Sequence, residues 1–290
     1  MTEKRAFDES SITEAVQARF GAAPDPRLRA ILKSLIGHLH GFVRDVEPTG
    51  EEWRAAVDFL ARAGRISVDG RHEFILLSDA LGASTLVDAI NHRARDGATP
   101  STVLGPFYVD DPPVRDDGAD IADGEEGAPL YVDIEVTALD GRPLPLANVD
   151  VWQSDREGFY DVQHPGEGPH LRARFKTDQA GRLRFWTTAP TAYRIPHDGP
   201  VGDMLAAANC HPWRPAHVHF MIEAAGHETL VTHIFMKGDQ YLDSDAVFAV
   251  KDDLIVDLPL LAPGPGPDGR AIGAPWRWLK YRFVLENAAR

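Results

Sequence analysis

The chain has 290 residues, of which 43% are hydrophobic, and a formal net charge of -14. That is about two domains at a soft figure of ~150 residues each, with enough apolar material for a sizeable core. The acidic balance excludes a phosphate backbone or an anionic membrane surface as partner unless a local basic patch intervenes, and none is visible.

In chain order, Met1–Ser10 lacks the apolar core of a signal segment, and no later stretch reaches the ~18 apolar residues of a membrane span. The cytoplasm is the default location. From Pro26, the residues Leu28, Ile31, Leu32, Leu35, Ile36, Leu39, Phe42 and Val43 recur at spacings of three and four, one face of a helix that Pro48 ends. Thr49 and Glu52 have the spacing of a capping box, and Trp53, Val57 and Leu60 carry a second helix to Gly64. Phe74, Ile75, Leu77, Leu81, Leu86 and Val87 predict a third between His72 and His92. These stripes need a partner, which is either the interior of the same chain or a second subunit or lipid.

The texture changes after Ala98, where prolines and glycines become frequent and an acidic connection runs from Asp110 to Glu126, so the domain boundary is placed near Thr102. Leu130, Val132, Ile134 and Val136 alternate with their neighbours as in a half-buried strand, and Asp140-Gly141 supplies a turn. Val149–Trp152, Leu183–Trp186, His217–Ile222 and Leu230–Met236 give further strands. The expected fold is α+β, residues 1–102 helical and residues 103–290 a mainly antiparallel β-sandwich. Cys210, the sole cysteine, excludes an internal disulfide and is expected to be a small buried apolar residue.

On a strand, residues i and i+2 point to one face, so His217 and His219 can share a ligand. The same pair also suits two polar residues on the wet face of a sheet. Three blocks bear on the choice: Asp150–Asp155 running on to Gly158–Asp161, then Pro190–Pro196, then Arg214–His219. Together they resemble the intradiol ring-cleavage dioxygenases, non-haem ferric enzymes that open catechol-type rings between the two hydroxyls. The resemblance extends to the helical amino-terminal region, to Gly105-Pro106-Phe107 and to Gly199–Gly202.

The resemblance implies that Tyr160, Tyr193, His217 and His219 hold one Fe(III) per subunit. Phenolate is a hard anionic donor suited to a trivalent ion, and imidazole is a common nitrogen ligand of iron. Most of the six tyrosines, Tyr131 and Tyr281 among them, are expected to be packing residues. Fe(III) with two tyrosinates and a hydroxide is formally neutral, so an arriving diol can give one proton to hydroxide and one to Tyr193, the tyrosine that departs in the family. Arg214 matches the family's active-site arginine and would stabilise charge developing on the substrate, its plainer reading being an exposed surface cation.

Catechol-preferring relatives usually carry Gln where His233 stands, and Leu230–Phe235 with Gly238–Asp245 looks closer to the hydroxyquinol branch. His233 either takes over that glutamine's role or is a buried, satisfied histidine. Leu76, Asp79, Val103, Gly105, Pro106, Phe107, Ile195 and Pro196 would line the substrate pocket. Asp79 could accept a hydrogen bond from the third hydroxyl of hydroxyquinol (benzene-1,2,4-triol) and would repel a substrate carboxylate, or it is a surface helix residue. The resemblance further implies O2 as co-substrate, maleylacetate as product (cis,cis-muconates if catechols are the substrate), a homodimer through the helical domain, and a phospholipid in an apolar tunnel between subunits. Two other classes fit parts of the pattern: a zinc hydrolase using His217, His219 and a carboxylate such as Asp161, and a non-catalytic sandwich with structural histidines.

Overall fold

The structure, a computed structural model, describes residues 7–68, 71–93, 97–164, 166 and 168–288. Residues 1–6, on which most of the signal-segment reading rests, lie outside the described residues. Five helices come first: α1 (Ile12–Phe20), α2 (Pro26–Val46), α3 (Gly50–Ile66), α4 (Glu73–Ala80) and α5 (Ala83–Asn91). Asp25 caps α2, accepting from the Arg27 N–H at 2.8 Å, with Pro26 in the first turn where no amide is needed. The Thr49/Glu52 capping box forms, with bonds of 2.8 and 3.2 Å.

The third predicted helix is in fact two. The chain breaks at Leu81-Gly82, and Gly82 adopts φ +69, a conformation glycine takes without a Cβ penalty and that ends α4 before α5 begins. Helix α1 was not anticipated. Its apolar face is weak, and it is held through polar contacts: Thr13 Oγ1 lies 2.9 Å from His40 Nδ1 and Gln17 Nε2 donates to the Lys33 carbonyl at 2.9 Å.

The strands are β1 (Pro129–Ala138), β2 (Asn148–Gln153), β3 (Arg172–Lys176), β4 (Arg182–Thr188), β5 (Tyr193–Arg194), β6 (Trp213–Arg214), β7 (His217–Glu223), β8 (Leu230–Met236), β9 (Ile255–Val256), β10 (Leu260–Leu261), β11 (Gly264–Pro265), β12 (Ala271–Ile272) and β13 (Trp276–Leu285). Between β5 and β6 lies α6 (Pro200–Ala207). One sheet has the order β10-β13-β1-β4, the other β3-β2-β7-β8-β9. All ladders are antiparallel except β1 with β13 and β8 with β9. The inner faces meet through stacked Phe175 and Phe185 and through Phe220 and Phe283, each pair with centroids 4.9 Å apart. Strand β1 is more deeply buried than its alternation suggested: lying between β13 and β4, it buries Tyr131, Thr137 and Ala138 as well as its apolar series.

By contact density the chain divides into two compact units, one ending at Ala61 and the other starting at Arg62. The division falls earlier than the change of texture near Thr102 because α4 and α5 belong with the strands: Thr85 Oγ1, for example, donates to the Val247 carbonyl at 3.0 Å. Cys210 is exposed, against expectation, on the loop after α6. Among the described residues no helix is long and apolar enough to cross a membrane.

Candidate metal centre

Register decides which side chains meet. On the outer face of the five-stranded sheet, Trp152 pairs with His219 across β2 and β7, and His219 with His233 across β7 and β8. Val151, Phe220 and Thr232 take the opposite, inter-sheet face. This outer face is not wet. His217 and His219 are each 1% exposed and His233 is fully buried, so the reading of the histidine pair as solvated polar residues falls.

The covering comes from three loops. Residues 155–163 bring Tyr160 over the sheet, where its hydroxyl lies 2.9 Å from His219 Nε2 and 3.5 Å from His217 Nε2. Gly158, at φ +89, lets this loop approach Tyr193 so closely that a Cβ there would fall 2.8 Å from Tyr193 Cβ. The two-residue ladder of β5 and β6 sets Tyr193 opposite Arg214. Phe107 stacks on the Tyr160 ring at 4.4 Å, and a side chain at Gly105 would meet the His219 ring.

The protonation states follow from the contacts. His217 Nδ1 faces the Pro215 carbonyl at 2.7 Å, an oxygen that can only accept, so Nδ1 carries the proton and Nε2 offers a lone pair. Burial, then the charge of Arg214, pushes the His217 pKa down to about 3. Burial and the neighbouring imidazoles likewise hold His219 and His233 well below the ordinary histidine value. Burial, reinforced by Tyr193, raises Tyr160 well above 10. The lone pair of His217 Nε2 thus stands 3.1 Å from His219 Nε2, with a phenol oxygen at comparable range. Donors bound to one ion by ~2.1 Å bonds near a right angle are ~3 Å apart, so this donor set fits a metal. His219 Nδ1 has no hydrogen-bond partner, although the His219 ring is fixed by stacking on Trp152 at 4.6 Å.

His233 is not a satisfied histidine. Neither of its ring nitrogens makes a hydrogen bond of normal geometry, though the Val103 backbone is close enough to favour its protonated form. Its ring meets His219 edge-on at 4.2 Å, and His217, His219 and His233 each bring a nitrogen within 4.8 Å of the others.

Arg214 is 2% exposed, which removes the surface-cation reading. Its Nη1 donates to Tyr193 Oη at 3.3 Å, and Asp245 pairs with its Nε at 3.0 Å. Asp79, 5% exposed on α4, is no surface residue either. Burial raises its pKa against the opposing pull of Ser84 and Arg214. Leu76 is buried one turn earlier, Ile195 is buried beside Tyr193, Val103 and Pro196 are half-buried, and Pro106 is exposed.

Sequence reasoning missed Asp245, Trp152 and the pair Asp161–Arg172. Arg172 donates from Nε to Asp161 at 2.6 Å, from Nη2 to the other carboxylate oxygen, and to the Phe107 carbonyl at 3.0 Å. This occupies Asp161 and argues against its service as a zinc ligand. The alternation of β2 and β3 could have placed Trp152 and Arg172 on the histidine face; nothing local marks Asp245.

Comparison with known proteins agrees with this architecture. The family profile described as Dioxygenase matches residues 103–286, and that described as Catechol dioxygenase N terminus matches residues 25–99. Hydroxyquinol 1,2-dioxygenase of Nocardioides simplex is 46% identical over 281 residues, 97% of this chain and 96% of that protein. The crystal structure of hydroxyquinol 1,2-dioxygenase from Pseudomonas putida DLL-E4 superimposes with a TM-score of 0.90 at 44% identity, covering 97% of this chain and 99% of that one. Catechol 1,2-dioxygenase from Pseudomonas arvilla C-1 gives 0.84 at 31% identity, covering 96% and 92%.

Proposed function

The chain belongs to the intradiol ring-cleavage dioxygenase family, whose members use non-haem iron, and on that premise we propose that it cleaves hydroxyquinol with O2 to maleylacetate. The observation that carries the reading is the convergence of Tyr160, His217 and His219, with Tyr193 beside them, in a buried space. Asp245 is paired with Arg214 and Asp161 with Arg172, so neither is free to meet the charge of a bound cation, and the phenol oxygens beside the histidines are the anionic donors at hand. That donor set favours Fe(III), one per subunit, held by Tyr160, Tyr193, His217 and His219. When bound there, it supplies Lewis acidity that draws electron density from a chelated diol and opens the ring to O2.

The remaining roles fall to the chain. Tyr193, on a two-residue strand, accepts a proton from the incoming diol. Arg214 places a cation beside that phenol, where negative charge builds on the substrate. Phe107, Ile195, Leu76, Val103, Gly105, Pro106 and Pro196 form the walls, and His233 supports the His219 ring from behind. Asp79 receives the third hydroxyl of hydroxyquinol and excludes carboxylated rings. The catalytic domain is residues 103–290, completed by Leu76 and Asp79 from α4. The exposed apolar side chains of α2, among them Leu35, Leu39 and Phe42, suit a homodimer that encloses phospholipid, which molar mass in solution and lipid extraction would test. The setting is aromatic breakdown in the cytoplasm.

O2 uptake by iron-loaded protein tests the substrate. We expect kcat/KM for hydroxyquinol to exceed that for catechol at least tenfold, about 1.4 kcal/mol. A preference for catechol would keep the chemistry and overturn the substrate.

A further inference from the structure

Arg214 faces the donor cluster with one nitrogen only. Nη1 lies 3.3 Å from Tyr193 Oη and 3.4 Å from His217 Nε2. The other edge is taken: Nε and Nη2 donate to the two carboxylate oxygens of Asp245 at 3.0 and 3.3 Å. Asp245 is 4% exposed and is itself fixed, because its oxygens also accept from the backbone amides of Val247 at 3.3 Å and Ala249 at 3.0 Å.

The connection that carries Asp245 grips the Arg214 segment at two more points. Asp239 Oδ2 accepts from the Ala216 amide at 2.9 Å, and the Ala246 amide donates to the Trp213 carbonyl at 3.1 Å. Backbone and guanidinium are therefore registered by the same loop, residues 238–249. A planar guanidinium bound by two N–H groups to one carboxylate loses its freedom to rotate, which a single contact would leave. Freed of Asp245, the guanidinium would lose the fork that fixes its rotation, and Nη1 would lose its aim.

We propose that Asp245 is a positioning residue for ring cleavage: by holding Nε and Nη2 of Arg214, it aims Nη1 at the space between Tyr193 and His217. The inference rests on the dioxygenase reading given above. Among the described contacts Asp245 makes no hydrogen bond to Tyr160, Tyr193, His217 or His219; its side-chain hydrogen-bond partner is Arg214.

The test compares the parent protein, Asp245→Asn, Arg214→Lys and the double variant, all iron-loaded. It measures O2 uptake with hydroxyquinol alongside iron content, the visible tyrosinate–iron absorption and Tm. A misplaced catalytic group costs roughly 100-fold, so kcat of Asp245→Asn should fall about that far while KM stays within about 3-fold, iron is retained and the resting absorption is unchanged. In the Arg214→Lys background, the same change should cost little more. A kcat within about 2-fold of the parent, a loss no greater than the loss of iron, or effects that multiply in the double variant would each overturn the proposal. If Asp245→Asn does not fold, Asp245→Glu carries the test, because it keeps the charge but displaces the fork: lower kcat at parental iron content supports the proposal, and parental kcat overturns it. An inactive parent would overturn the reaction itself, a result distinct from all of these.

Discussion

Tyr160 and Tyr193 face the same histidines from regions of opposite character. Around Tyr160 everything is fastened: its amide donates to Gln163 Oε1 at 2.9 Å, its ring lies flat on Phe107, and its neighbour Asp161 is locked to Arg172, which also holds the Phe107 carbonyl. Tyr193 stands on a ladder two residues long, meets Tyr160 edge-on at 5.4 Å, and has Arg214 as the hydrogen-bond donor to its hydroxyl. Buried polar bonds hold the backbone and neighbours of Tyr160, whereas at Tyr193 the buried polar bond is made to the hydroxyl itself, by Arg214. The proposed assignment, with Tyr160 as the ligand that stays and Tyr193 as the one that leaves, draws on that inequality.

Replacing each tyrosine is the most direct way to break the comparison. Tyr160→Phe should lose iron and, with it, all measurable O2 uptake. Tyr193→Phe should keep most of the iron and lose about 100-fold in kcat, the scale of one proton-transfer group. Metal analysis beside oxygen consumption decides the matter; equal iron loss in both would show that the two regions are equivalent.

The histidine wall common to both regions sets the acid limit of the metal-free protein. His217 is held at about 3, and His219 and His233 well below the ordinary value near 6.5, so the folded state stays neutral where the unfolded chain takes up protons. The stability these imidazoles contribute is therefore full above about pH 6.5 and is lost as the pH drops towards 3. Urea titrations at stepped pH measure it. Bound iron, which requires neutral imidazole, should move the loss to lower pH.

The arginines of the two regions sharpen the contrast on a smaller scale. Arg172→Met strands the buried Asp161 carboxylate and should cost about 3–5 kcal/mol. Arg194, exposed and 4.7 Å above the Trp213 ring, should cost about 1 kcal/mol or less when replaced by Ala. Denaturant midpoints of the two variants give the comparison, and equal losses would show that the fastening around Tyr160 carries no special weight.

Much of the fold was legible because period survives in sequence. The stripe from Leu28 to Val43 pointed to α2, Thr49 and Glu52 to the start of α3, alternation to β1, and short runs of β-forming residues to β2, β4, β7 and β8. Strands β3 and β13 were overlooked, the alternation of β13 shifting phase between Trp278 and Leu279, and β5, β6 and β9 to β12 are too short to carry a period. The break at Gly82 was overlooked although, at about 100° per residue, Leu86, Val87 and Ile90 fall on the opposite side of a continuous helix from Phe74, Leu77 and Leu81.

By itself the sequence determined that His217 and His219 share one face of β7, because pleat and spacing are local properties of the chain. Only the tertiary structure decided that this face is dry, that Asp79 and Arg214 are buried, and that Asp245 and Arg172 complete the surroundings of the two tyrosines. Those facts depend on contacts between residues far apart in sequence, where loop closure and cross-strand register, rather than local preference, choose the partner.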